Sequence, residues 1–263
     1  MFHRPIRAIF HTLTVSPRLS FALQTATEAA EGTLAHFRDR VGFELKGDES
    51  PVTVADKEAE RLIRERIARA YPGEEVYGEE EGGSQAPDRW VIDPIDGTKS
   101  FIAGVPLYAT LLSYERAGVP ILGVCVLPAI GEVVYAEKGE GAFLNGNPCH
   151  VSSEVRLSHS IVSTGGYQSL QVSGKLDAVL RLSERALAAR GWTDAYGHFL
   201  VATGRIQAMI DPVVKHWDLS AVSLIVEEAG GSFTDFAGRP GIYSEAVSCS
   251  PGVKEAVLAA LAE

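Results

Sequence analysis

The sequence predicts a layered α/β fold, with helices laid on a meandering antiparallel sheet in its first half and strand alternating with helix in its second. Three observations predict it. Apolar residues recur at helical spacing near the start, four β-rich runs joined by short turns follow, and the rhythm changes after about residue 153. At 263 residues the chain can bury a sizeable core, as one large domain or two closely packed halves. Residues 1–18 read as a loose N-terminal extension and 19–263 as the folded unit, its antiparallel half running to about 152 and its α/β half starting at about 153.

The elements follow in order. Leu19, Ala22, Leu23, Ala26, Ala30, Leu34 and Phe37 keep the three-to-four spacing of a helix with one buried face, closed by Gly42. Thr53-Val-Ala-Asp56 has the form of a capping box, and Ala59, Leu62, Ile63, Ile67 and Ala70 continue one face until Tyr71-Pro72-Gly73 stops the helix. Leu107–Glu115, Ile121–Leu127, Val133–Glu137 and Gly141–Leu144 are rich in β-branched residues, and Gly118, Gly131 and Asn145-Gly146-Asn147 mark the turns between them. In the second half a strand is expected at Ser160–Thr164, helices at Lys175–Arg190 and Ala195–Thr203, and a strand at Ile206–Ile210. A helix from Leu219 to Ala229 ends at Gly230-Gly231, a short strand pair follows, and Ser250-Pro251 opens a final helix.

Composition narrows the function. A net charge of −10 argues against broad binding to nucleic acid or an anionic membrane, which needs a basic face, and permits clustered acids that bind cations. Cys125, Cys149 and Cys249 are odd in number with no Cys-x-x-Cys, so a reducing cytoplasm fits better than a disulfide framework. No apolar run reaches the roughly 18 residues that a membrane span requires. Met1–Ser16 carries Arg4, Arg7, His3 and His11 without acids, yet lacks the long apolar stretch and small-residue cleavage site of a secretory leader.

The chemistry concentrates between Trp90 and Thr98, where Trp-Val-Ile-Asp-Pro-Ile-Asp-Gly-Thr ends a strand in two carboxylates and turns through glycine. Pro94 fixes its own φ and pushes Asp93 toward an extended conformation, so Asp93 and Asp96 can converge on one cation. Gly97 and Thr98 then offer backbone N–H groups to a phosphate where a helix begins. Glu79 and Glu80 in Gly-Glu-Glu-Glu, Asp56 in the second helix start and Asp218 in His-Trp-Asp are the further acids.

Each has a plainer reading. Asp56 and Asp218 suit helix starts, the Glu79–Glu81 run suits a solvated loop, and Asp93-Pro-Ile-Asp96 suits a turn after a buried strand. Taken together these alternatives weaken, because converging acids repel unless a cation joins them. Mg²⁺ suits the set: it takes carboxylates and a backbone carbonyl such as that of Ile95, and no histidine or cysteine cluster competes for zinc. With Mg²⁺, one ion can acidify a water while another stabilises the leaving oxygen, and Thr98 can orient that water.

Gly78-Glu79-Glu80, Trp90-Val-Ile-Asp93-Pro-Ile-Asp96-Gly-Thr98 and Trp217-Asp218, in that order, resemble the inositol monophosphatase family from about Leu19 to the C-terminus. The resemblance implies an αβαβα sandwich of the inositol monophosphatase or sugar phosphatase type. It also implies Mg²⁺-dependent, lithium-sensitive hydrolysis of small phosphomonoesters, with two or three ions per site, commonly in a homodimer. It places Glu79, Asp93 and the Ile95 carbonyl at a first metal, Asp93, Asp96 and Asp218 at a second, and Glu79 beside a third. Asp56 and Thr98 match the pair that orients the water.

Within the family, Asp96-Gly-Thr-Lys-Ser-Phe101 with Gly104-Val-Pro106, Asp194-Ala-Tyr-Gly197 with Val201-Ala-Thr-Gly-Arg205, and Asp211-Pro-Val-Val-Lys215 are most similar to the members that act on L-histidinol phosphate. Asp194 and Asp211 fall where the family contacts the alcohol, and two anions there suit an ammonium and an imidazole. The alternatives are that Asp194 caps the helix after Trp192 and Asp211 ends a strand before Pro212. Inositol 1-phosphate is the main competing substrate. Fructose 1,6-bisphosphate and 3′-phosphoadenosine 5′-phosphate follow, since no added basic cluster is evident for a second phosphate. A non-catalytic protein that binds metal or phosphate is the reading from another class.

Overall fold

The computed structural model describes residues 15–37, 42–47 and 50–262. The expected loose extension therefore lies almost wholly outside the described residues. Helix α1 spans Pro17–Thr33, two residues earlier than the apolar spacing predicts, because the Ser16 hydroxyl accepts the Leu19 N–H at 3.1 Å and Pro17 pre-sets the first turn. It ends at Thr33 rather than Phe37: the Thr33 hydroxyl turns back on the Ala30 carbonyl at 2.7 Å and lies 2.9 Å from the Tyr108 hydroxyl. Strands β1 (Phe43–Leu45) and β2 (Pro51–Thr53) form a hairpin that the sequence pattern does not announce. Helix α2 (Val54–Ala70) starts with the expected capping box between Thr53 and Asp56.

Strands β3 (Glu75–Gly78), β4 (Gly82–Gly83) and β5 (Arg89–Asp96), a one-turn helix α3 (Thr98–Ile102), and strands β6 (Ala109–Arg116), β7 (Val119–Leu127), β8 (Glu132–Glu137), β9 (Ala142–Leu144) and β10 (Asn147–Cys149) follow. They build an eight-stranded sheet in the order β10-β9-β8-β7-β6-β5-β3-β4, antiparallel except where β3 runs parallel to β5. Next come β11 (Ile161–Thr164), α4 (Tyr167–Val172), α5 (Leu176–Arg185), β12 (Ala188–Arg190), α6 (Asp194–Ala202), β13 (Ala208–Asp211), α7 (His216–Glu228), β14 (Ser232–Thr234), β15 (Ala246–Cys249) and α8 (Lys254–Ala262). The second sheet has the order β12-β11-β13-β15-β14.

One expected helix is shorter than its pattern. The periodicity predicts helix to Arg190, but α5 ends at Arg185, Ala186 is extended, and the Leu187 N–H reaches the Ser160 carbonyl at 3.0 Å. Residues 188–190 then pair in parallel with β11, so an available sheet edge outweighs local helical preference.

Alternation along the strands sets the layers. Leu122, Val124 and Val126 of β7, with Val133 and Tyr135 of β8, bury against α1 and α2. Cys125, Leu127, Val134 and Ala136 point the other way, onto α6 and α7. In β13, Met209 joins that middle layer while Ala208 and Ile210 face α5 and α8. The result is α1/α2, sheet, α6/α7, sheet, α5/α8, the expected αβαβα order. The middle contact is close: a Cβ on Gly123 would lie 2.5 Å from the Ala221 carbonyl oxygen of α7.

Candidate active site

A strand places side chains three apart on opposite faces, so Asp93 and Asp96 would diverge in a regular β5. The pairing with β6 breaks between them: Asp93 lies opposite Leu111 and Asp96 opposite Ala109, leaving Pro94 and Ile95 against Thr110 alone. Pro94 has no N–H to lose there, and its carbonyl accepts the Thr110 hydroxyl at 2.8 Å. The bulge turns both carboxylates to one side, where Asp218 of α7 meets them. One carboxylate oxygen from each of Asp93, Asp96 and Asp218 lies within 4.8 Å of the others.

Two helix starts hold this trio. Asp218 occupies the third position of α7 and accepts the Lys215 N–H at 2.8 Å, so it is not the N-cap that its sequence context offers as an alternative. The first turn of α7 is tied to the large sheet through the buried Glu115, which takes the His216 Nε2–H at 2.6 Å, Arg89 Nε at 2.8 Å and the Ser220 hydroxyl at 2.8 Å. Asp96 accepts the Ala195 N–H at 2.5 Å, so Asp96, not Asp194, satisfies the start of α6.

The trio is out of balance without a cation. Burial pushes the Asp93 carboxyl well above its usual range, and Glu79, Asp96 and Asp218 push it further. Asp96 is raised by burial and by Asp194 and Asp218, while Asp218 is pushed up to about 7 chiefly by burial. Asp93 Oδ1 is buried without a hydrogen-bond partner, an acceptor left for a ligand. Hard oxygen donors, mutual repulsion and an orphaned acceptor together fit Mg²⁺. Glu79 sits beside Asp93 but is held by Lys46, whose Nζ lies 2.7 Å from both Glu79 and Glu80.

The trio opens into a cleft of about 460 Å³, lined also by Glu79, Ile95, Gly97, Thr98 and Asp194. Gly97 adopts φ 83°, which strains any other residue, and a Cβ there would crowd Asp194 Oδ2 at 3.2 Å. The Thr98 hydroxyl donates to the Ile95 carbonyl at 3.0 Å and lies 3.4 Å from Asp56 Oδ1. Asp56 serves both as cap and as neighbour to the site, accepting the Thr53 N–H at 2.8 Å; burial raises its carboxyl despite that bond.

Asp194 reaches the cleft from a backbone at φ 62°, a left-handed conformation that costs a non-glycine residue about 1 kcal/mol. Asp211 does not line the cleft; it is buried 3.8 Å from His198 Nε2. A basic contribution joins these acids, since Lys46, Lys99 and Lys215 all line the cleft. Lys215 precedes the His-Trp-Asp signal and could have been found by it. Ser169 could not, because it arrives on α4, a helix without a clear apolar period.

The profile of the inositol monophosphatase family matches residues 14–263. The chain belongs to the inositol monophosphatase family. A histidinol-phosphatase of Chlorobaculum parvum is 44% identical over 231 residues, covering 87% of this chain and 89% of that protein. One of Streptomyces coelicolor is 37% identical, covering 89% and 92%. The solved structure of a Thermotoga maritima IMPase superposes with a TM-score of 0.88 at 30% identity, covering 94% of this chain and 97% of that one. The protein is accordingly a phosphatase, a hydrolase of a metal-dependent family that acts on small phosphomonoesters. Among the described residues, no helix is long and apolar enough to cross a membrane.

Proposed function

We propose that the protein is a Mg²⁺-dependent phosphatase that converts L-histidinol phosphate to L-histidinol and phosphate. Asp194 carries the choice of substrate: a half-buried carboxylate on strained backbone, lining the cleft beside the acid trio. Histidinol phosphate presents an ammonium and an imidazole away from its phosphate, and an anion there favours it over a neutral polyol. The two relatives named histidinol-phosphatase support the same reading.

Glu79, Asp93, Asp96, Asp218 and the Ile95 carbonyl would hold the metal. Bound Mg²⁺ supplies positive charge to the phosphate and lowers the pKa of water. The N–H groups of Gly97 and Thr98 hold nonbridging phosphate oxygens. The Thr98 hydroxyl and Asp56 orient the attacking water, and the raised Asp56 carboxyl suits brief proton storage. As the water oxygen bonds to phosphorus, the P–O bond to the alcohol breaks, and the water's proton ends on the L-histidinol hydroxyl.

Lys99 and Lys215 favour a second reading, a bisphosphate substrate whose other phosphate they would contact. A phosphate-release panel compares histidinol phosphate, inositol 1-phosphate, fructose 1,6-bisphosphate and 3′-phosphoadenosine 5′-phosphate by kcat/KM. Histidinol phosphate is expected to lead, and Asp194→Asn to lower its kcat/KM selectively. A higher value for any other ester would overturn the substrate assignment.

A further inference from the structure

Glu79 lies on a loop, not on a regular element, and its position at the acid trio needs an explanation. The loop leaves β3 at Gly78, where the Glu79 N–H bonds the Ile92 carbonyl of β5 at 3.2 Å, and returns as β4. Between these points its backbone turns onto one side chain. Glu60 of α2 is fully buried; its Oε2 accepts the Glu80 N–H at 2.8 Å and its Oε1 the Glu81 N–H at 3.1 Å. Arg64, one turn further along α2, donates Nε to Glu60 Oε1 at 2.8 Å and a second nitrogen to the Gly82 carbonyl at 2.5 Å. Gly78 leaves the room: a Cβ there would lie 2.2 Å from Glu60 Oε1.

We propose that Glu60, braced by Arg64, is a positioning residue that fixes the Gly78–Gly82 loop so that Glu79 meets the metal ligands of β5 and α7. Asp56 and Glu60 are four residues apart and so share a face of α2. One helix thereby sets two parts of the site, Asp56 beside Thr98 and Glu60 beneath Glu79. The bonds run from a buried carboxylate to two backbone amides, so removing the carboxylate frees the loop and leaves those amides without acceptors. The inference rests on Glu79 being a metal ligand.

Isothermal titration of Mg²⁺ into metal-free wild type, Glu60→Leu, Glu60→Gln and Ile63→Ala tests it. Ile63 is buried on the same helix, in the apolar core shared with α1 and the large sheet, so its variant is the control for loss of stability. Groups that orient metal ligands typically carry 10- to 100-fold in affinity, and Glu60→Leu is expected to weaken Mg²⁺ by about that factor. Glu60→Gln, which keeps one acceptor oxygen, is expected to recover part of the loss, and Ile63→Ala to stay within about two-fold of wild type. Amide exchange without metal gives an independent reading: the Glu80 and Glu81 amides should exchange about ten-fold faster or more in Glu60→Leu and unchanged in Ile63→Ala.

If Glu60→Leu fails to fold, Glu60→Gln and Arg64→Met decide by the same two measurements. Unchanged Mg²⁺ affinity in the Glu60 variants, or an equal loss in Ile63→Ala, would overturn the inference while leaving the phosphatase assignment intact. Absence of Mg²⁺ binding in wild type would instead overturn the metal reading, and the purpose assigned to Glu60 with it.

Discussion

Asp93→Asn should abolish turnover and yet stabilise the metal-free protein. Asp93 is 1% exposed, and its carboxylate stands within 4.8 Å of those of Asp96 and Asp218. Two unit charges at that distance repel by about 3.5 kcal/mol at an effective dielectric constant of about 20. Taking up a proton relieves the repulsion, but costs about 1.4 kcal/mol for each pH unit above the unfolded pKa. Either route costs about 3.5 kcal/mol or more at pH 8, and burying an asparagine amide in the same place costs about 1–2 kcal/mol, so the net difference is on the order of 2 kcal/mol. The folded state raises the Asp93 pKa, so it holds more protons than the unfolded chain between the two values. Stability is therefore lost as pH rises through that window. An asparagine side chain escapes this, so in EDTA at pH 8 the variant should melt about 4–8 °C above wild type, with the gap narrowing toward pH 5. Mg²⁺ at 100 times its dissociation constant would add about 2.7 kcal/mol to wild type and little to the variant, reversing the order. Calorimetric melts at both pH values, with and without Mg²⁺, measure this. A metal-free variant that melts below wild type at pH 8, or whose advantage grows toward pH 5, would refute the reasoning.

Thr98→Ala should lower kcat by about 100-fold or more with a smaller change in KM, read by steady-state phosphate release, since its hydroxyl stands between Ile95 and Asp56. Gly123→Ala puts a methyl 2.5 Å from the Ala221 carbonyl and should cost about 1–3 kcal/mol in urea unfolding without altering the acids. Burial opposes ionisation of Glu115, but His216, Ser220 and Arg89 outweigh it and hold the carboxyl below its usual range. Glu115→Leu should therefore cost about 3–5 kcal/mol by stranding Arg89, and loosen the start of α7 as seen in amide exchange. Burial holds the Asp194 carboxyl above its usual range, with Thr193 and then Lys99 opposing it, so Lys99→Met should raise the kcat/KM ratio of histidinol phosphate to inositol 1-phosphate; a fall would count against Asp194 as the selector.

Legibility in the sequence followed the range of the interactions. The α2 start was readable because Thr53 and Asp56 make a bond local to one turn. The strands from Ala109 to Leu144 were readable because both their faces are buried and their turns carry glycine or asparagine. Parallel β3 was not, since Glu75-Val-Tyr-Gly has no alternation and is a strand only because β5 lies beside it. Asp93 and Asp96 were readable as a pair, but the bulge that unites them depends on where β6 runs. Asp211 was ambiguous because a strand-end acid beside a proline looks the same whether it faces the cleft or His198. Glu60 was invisible, since a glutamate on a helix is ordinarily a solvated side chain and only the fold buries it.

The charge of the cleft explains why one acid beyond the metal ligands matters. Glu79, Asp93, Asp96 and Asp218 together would carry about the charge that two Mg²⁺ ions neutralise, which leaves a bound phosphate ester to be balanced by what else lines the cleft. Lys99 and Lys215 stand ready for that anion, and Lys46 is committed to Glu79 and Glu80. Asp194 then remains as the one further acid among the residues lining the cleft, and burial makes its charge costly unless a cation meets it. A neutral polyol leaves Asp194 relying on Lys99, in competition with the phosphate. On the proposed reading, a substrate that brings its own ammonium and imidazole would release Lys99 to the phosphate and satisfy Asp194 at once, so the same acid excess that would hold the metal would also discriminate between the alcohols.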